Sequence, residues 1–138
     1  MIQPPDFDLL RRAAWGLAGF LGFFWIAYED QGLTALSFVA TAIAFASGLT
    51  VLNRWVGSEK LPRRKWLLHT AGVGLIAGAA VGPLTALLML VKLGLHAHPD
   101  ADFGPDQFVL ALSRTLYWAG LGALIGLALG FTVRETRD

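Results

Sequence analysis

Four apolar stretches, at about residues 13–28, 32–52, 66–91 and 115–133, occupy most of this 138-residue chain. Each approaches the ~20 residues that a helix needs to cross the hydrocarbon core of a bilayer. Within that core no water is available to the backbone, so runs of this kind fold as helices that satisfy their own N–H and C=O groups. The expected architecture is all-α: a polytopic membrane protein with four transmembrane helices in an antiparallel bundle, forming one domain over 1–138.

The basic residues alternate between the gaps. Arg11, Arg12, Arg54, Lys60, Arg63, Arg64, Lys65, Arg134 and Arg137 fall on one side, and only Lys92 and Arg114 on the other. Acids divide evenly between the sides, but orientation follows the Lys/Arg bias of short loops and not the net charge. Both termini are therefore expected to be cytoplasmic, with the 53–65 loop beside them, in what reads as a bacterial cytoplasmic membrane. The formal net charge of +1 conceals this asymmetry, which serves topology and gives no reason to expect nucleic acid as a partner. With no cysteine, disulfides, thiolate metal sites and cysteine nucleophiles are excluded together.

Arg11 and Arg12 before an apolar run resemble the start of a signal peptide. However, Asp6 and Asp8 dilute that charge and no small-residue cleavage pattern follows Tyr28, so the first helix is expected to be retained. Asp6 is placed to cap it. The short polar link 29–31 makes the first two helices antiparallel neighbours. Helix three is expected to extend toward Leu95 and to kink near Pro83, where a backbone donor is missing. Gly104-Pro105-Asp106 reads as another helix start. Trp15, Trp55 and Trp66 are expected at one interface, and Trp25, Tyr28, Tyr117 and Trp118 at the other. Arg11-Arg12 before Trp15 and Arg63-Arg64 before Trp66 faintly suggest a repeat, but any two outward-running helices share such boundaries.

Small residues recur at every fourth position. Gly74, Gly78 and Gly82 line helix three and Gly122, Gly126 and Gly130 helix four, with shorter ridges at Ala40, Ala44, Gly48 and at Ala14, Ala18, Gly22. Lipid supplies no hydrophobic drive between helices, so close approach along small ridges holds them together. These ridges are expected to pack the four helices on one another; the alternative sets the helix-four ridge against another chain.

Polar candidates are few. His96, His98, Asp100 and Asp102 have the chemistry of a divalent-metal site, with a solvated loop as the simpler reading. His69 is a candidate cofactor ligand, and with Ser47 it forms a serine–histidine pair of the kind that activates a hydroxyl. No oxyanion donor or second axial ligand accompanies either, so an interhelical hydrogen bond, or snorkelling of the histidine to headgroups, is the expected role. Arg114 and Lys92 are expected at the outer interface, as anchors or as contacts to lipid headgroups. With Arg114 placed there, the central parts of all four helices contain no Asp, Glu, Lys, Arg or His, which disfavours an ion-coupled transporter. The expectation is a non-catalytic accessory, assembly or structural subunit without metal or cofactor, packed against other membrane chains or itself within the lipid bilayer. A small homo-oligomeric channel or permeation protein is the alternative.

Overall fold

A computed structural model describes residues 2, 4–27, 32–56, 60–95 and 103–133. Its helices are α1 (Asp8–Ala27), α2 (Leu33–Val56), α3 (Arg63–Leu95), α4 (Pro105–Ser113) and α5 (Thr115–Phe131). Three helical stretches are long and apolar enough to cross a membrane: Leu33–Val56, Arg63–Leu95 and the combined Pro105–Phe131. Helix α1 falls outside this group. Its twenty residues include Arg11 and Arg12, leaving an uncharged run of about 22 Å at 1.5 Å per residue.

Local chemistry explains the boundaries. The Asp8 N–H donates to Asp6 Oδ1 at 2.8 Å, so Asp6 turns the chain into α1. Pro105 occupies the first turn of α4, where its missing N–H has no intrahelical partner to lose. Helix α3 runs unbroken through Pro83, whose ring faces outward and is exposed.

The fourth apolar segment is helical from Pro105, the start read from Gly104-Pro105-Asp106 and ten residues before Thr115, and the helix ends at Phe131, not at 133. At Arg114 the backbone tightens (φ −79°, ψ −5°), and its N–H donates to the Leu112 carbonyl. The Trp118 N–H then donates to the Arg114 carbonyl at 3.1 Å, restoring the α-helical ladder. Hydropathy alone locates the boundary at Arg114 because this polar residue interrupts the apolar run. The backbone instead satisfies itself through the interruption, so α4 and α5 form one jointed rod.

The helices pack in sequence order: α1 on α2, α2 on α3, and α3 on α4 and α5. No comparable packing joins α1 to α5 among the described residues, so the assembly is an open row and not a closed bundle. Neighbours run antiparallel. On α1 and α2, Trp25 shares a core with Leu36, Trp15 Nε1 donates to Thr50 Oγ1 at 3.1 Å, and Asn53 Nδ2 donates to Asp8 Oδ1 at 2.9 Å.

Both ends of the row are knitted by aromatic and polar contacts. At the first, Ile2 and Leu61 exchange backbone hydrogen bonds of 2.9 and 3.0 Å, fastening the segment before α1 to the segment before α3. Phe7 stacks on Trp66, whose buried Nε1 donates to the Gly130 carbonyl at 3.1 Å. Asp8 also accepts from Arg11 at 2.9 Å. Trp66 is therefore a core residue and not part of an interfacial belt. At the opposite end Trp25, Leu36, Met89 and Phe103 are buried together.

Candidate docking surface

The α3–α5 contact is built from glycine. A Cβ added to Gly74 would meet the Gly122 carbonyl, and one added to Gly122 would meet the Gly74 carbonyl. Gly78 lies against the Trp118 carbonyl, Gly126 against the Thr70 carbonyl, Gly82 against Thr115 Oγ1, and Gly130 against Leu67 and Thr70 Oγ1. All six glycines of the two ridges thus meet at one seam, where Gly74, Gly78, Gly122 and Gly126 present backbone to backbone. Such proximity maximises dispersion contact and suits Cα–H···O approach. The helix-four ridge is consumed inside the chain, which overturns the alternative that set it against another protein.

The α2 ridge and the start of the α1 ridge also pack inside the chain, whereas a Cβ on Gly22 would meet open space. Ala14 packs in the cluster that contains Ala46 and Leu49, and Ala40 and Ala44 pack on Val81 of α3. A Cβ on Gly48 would lie 3.2 Å from Ala77 Cβ.

Because the row is open, α2 and α5 diverge on either side of α3 and leave a groove of about 140 Å³. Its floor is Val73, Gly74, Ala77 and Gly78, with walls that include Phe45 and Leu52 on α2 and Leu121 and Ile125 on α5. The two threonine hydroxyls lining it are already satisfied: Thr41 donates to the Ser37 carbonyl at 2.7 Å, and Thr70 to the Trp66 and Leu67 carbonyls. The groove makes no polar demand and offers no path of ligands to an ion.

Seam register fixes the depth of Arg114. Gly82 packs between Ala111 and Thr115, so Arg114 is level with Gly82. One turn along, Trp118 packs on Ala40, Ala44 and Val81. Ala44 is the twelfth of the 24 residues of α2, which makes Trp118 level with the middle of that span. Arg114 therefore lies about 6 Å, or one helical turn, from mid-span. It is the tenth residue of Pro105–Phe131, about 14 Å from the nearer end. Thus Arg114, Tyr117 and Trp118 are level with the middle of α2, whereas counting apolar residues sets them at the end of a span.

The Arg114 side chain is exposed and makes no hydrogen bond or ion pair with any described residue. A guanidinium at the centre of a span raises the insertion free energy by about 2.5–3.5 kcal/mol, so such residues normally turn inward to a partner. This one turns outward.

Lys92 has the opposite placement. It is 3% exposed, in the last turn of α3, with Nζ 5.9 Å from the centroids of both the Trp25 and Phe103 rings. A cation there complements the helix dipole and the two aromatic faces. It ties α1, α3 and the approach to α4 together, with its charge enclosed by protein.

Ser47 and His69 are not hydrogen-bonded to each other. The His69 ring instead meets the Lys65 carbonyl of its own helix at 2.6 Å through Nδ1, which fixes the tautomer that donates there. His96, His98, Asp100 and Asp102 lie outside the described residues. Among the described residues no group of three or more His, Asp or Glu is arranged to hold a metal ion.

No known protein family, curated protein or solved structure matches the chain.

Proposed function

We propose that this chain is a non-catalytic accessory or assembly subunit of a membrane complex, crossing a bacterial cytoplasmic membrane four times with both termini on the cytoplasmic side. One observation carries the subunit reading: the fourth helical rod attaches along a single glycine seam, and only 11% of its most apolar stretch is buried by the rest of the chain. Its remaining face presents Leu116, Tyr117, Leu124 and the uncompensated Arg114 outward. A solitary protein gains nothing from an outward charge at that depth, whereas a subunit gains a contact.

The four-span arrangement is supported by the Ile2–Leu61 pairing and the antiparallel match of α1 with α2. If α2 crosses, a helix that starts beside its far end and finishes beside its near end crosses the same thickness. The short apolar run of α1 is accommodated by snorkelling of Arg11 and Arg12 and local thinning of the bilayer. The channel alternative lacks support from the groove, whose lining is apolar and whose hydroxyls are occupied.

Mild-detergent extraction followed by native mass measurement tests the subunit reading. A complex of defined stoichiometry with a second membrane protein is expected, and a lone monomer would count decisively against it. Single cysteines at Gln3, Ser58 and Ala101 test topology in intact cells. An impermeant thiol reagent should label only Ala101→Cys. Labelling of Gln3→Cys as well would mean that α1 does not cross.

A further inference from the structure

We infer that Arg114 is the docking point for a carboxylate carried near the middle of a transmembrane helix of a different chain. The inference rests on the subunit reading above and specifies the chemistry of its contact.

Depth is the first argument. Arg114 is level with Gly82 and one turn from the Trp118–Val81–Ala44 layer, in the part of the rod where lipid phosphates are farthest away. A guanidinium in hydrocarbon is rare unless an anion or backbone carbonyls neutralise it. The second argument is that the chain does not do so itself, since no described residue bonds the Arg114 side chain. Lys92 is enclosed between Trp25 and Phe103, showing that this fold can shelter a cation where one is needed structurally.

The third argument excludes a second copy. Among the described residues the helices carry two acids, Asp8 as the first residue of α1 and Asp106 as the second of α4, both at helix starts. No described helix of this chain presents a carboxylate at the level of Arg114. The partner must therefore be another protein. Carboxylate and guanidinium match as a bidentate pair, and the low dielectric that penalises either charge alone strengthens the two together.

The surroundings admit a helix. Tyr117, 81% exposed, lies three residues after Arg114, and the exposed Leu110 and Leu121 lie four before and seven after it, on the same face of the rod. A helix laid along it would cover this apolar surface while bringing its acid to Arg114. The groove beginning at Trp118 gives a small free anion no polar lining, because it is apolar and its hydroxyls are occupied.

The test uses the full chain in phosphatidylcholine vesicles with two synthetic Leu/Ala transmembrane peptides, one bearing a single central Glu and one a central Gln. Each carries a dansyl acceptor for energy transfer from the native tryptophans. The Glu peptide should associate roughly tenfold more tightly than the Gln peptide, the scale of strong interhelical polar contacts in membranes. Arg114→Leu should erase that preference and Arg114→Lys should keep part of it, with unchanged far-UV circular dichroism in both. Equal association of the two peptides with the native chain would overturn the inference, as would a Glu preference that survives Arg114→Leu. Loss of the preference on adding phosphatidylglycerol would assign the guanidinium to lipid phosphate instead, and also overturn it. The two readings separate in cell membranes. A native complex that persists in Arg114→Leu removes the Arg114 contact and leaves the subunit reading. A native chain that purifies alone yet distinguishes the peptides removes the subunit reading and leaves the contact.

Discussion

Replacing glycine by alanine on α3 should change stability in opposite directions at two positions six residues apart. Gly72 has no atom within 4 Å of an added Cβ, whereas a Cβ on Gly78 would meet the Trp118 carbonyl and lie 3.1 Å from Ala119 Cα. Both sites are inside the helix, so each gains about 0.5–1 kcal/mol from the lower backbone freedom of alanine. At Gly72 nothing opposes that gain, and Gly72→Ala should be stabilised by about that amount. At Gly78 the obstruction is main chain, which cannot rotate aside as a side chain would. The helices must separate, and overpacking of this kind costs about 1–3 kcal/mol. The net for Gly78→Ala is a loss of about 0.5–2 kcal/mol. Reversible unfolding of the purified protein in mixed micelles, followed by circular dichroism and tryptophan fluorescence, measures both on one scale. Because Gly74 and Gly122 face each other's carbonyls, their double substitution should cost less than the sum of the single ones: a seam already opened accepts the second methyl more easily. Equal shifts for Gly72→Ala and Gly78→Ala would refute the claim that backbone contact holds α3 to α5.

Three further outcomes are expected. Asp8→Ala should destabilise the fold by about 1 kcal/mol in the same assay, since it frees Arg11 and Asn53 at a site open enough for water to offset part of the loss. Arg114→Leu should improve membrane insertion of the Pro105–Phe131 segment by about 3–4 kcal/mol in a glycosylation-mapping assay, and an unchanged insertion efficiency would place the residue at the headgroups. Ser47→Ala and His69→Ala should shift the unfolding midpoint only slightly, because neither removes a side-chain hydrogen bond between helices; a large shift from either would reveal an interhelical role that the His69–Lys65 contact does not provide.

The helices were legible from hydropathy because length and apolarity are what a bilayer demands. The glycine ridges were legible because a four-residue period marks one helix face. Their partner was not, since a small ridge is equally suited to any neighbour, and only the register of Gly74 on Gly122 and Gly82 on Thr115 pairs these two. The same register was needed for Arg114. Along the sequence it looks like the end of an apolar run, but its depth is set by Gly82, some thirty residues earlier, and by Ala44 through Trp118. Trp66 misled for a related reason: its position beside basic residues is that of a belt tryptophan, while its indole is committed to the Gly130 carbonyl. The open row was hidden because short links define which helices are adjacent and say nothing of whether the last returns to the first.

The Ile2–Leu61 pairing also imposes an order of events. During synthesis the chain emerges from its N-terminus, so α1 and α2 can form their hairpin while Leu61 is still inside the ribosome. The segment before α1 then has no strand to pair with, and Phe7 has no Trp66 to stack upon. Its backbone groups must wait in water until the next helix is delivered. Closure of the two-residue bridge therefore reports that α3 has arrived beside the first hairpin. The pairing is a late step that links the segment before α1 to the segment before α3.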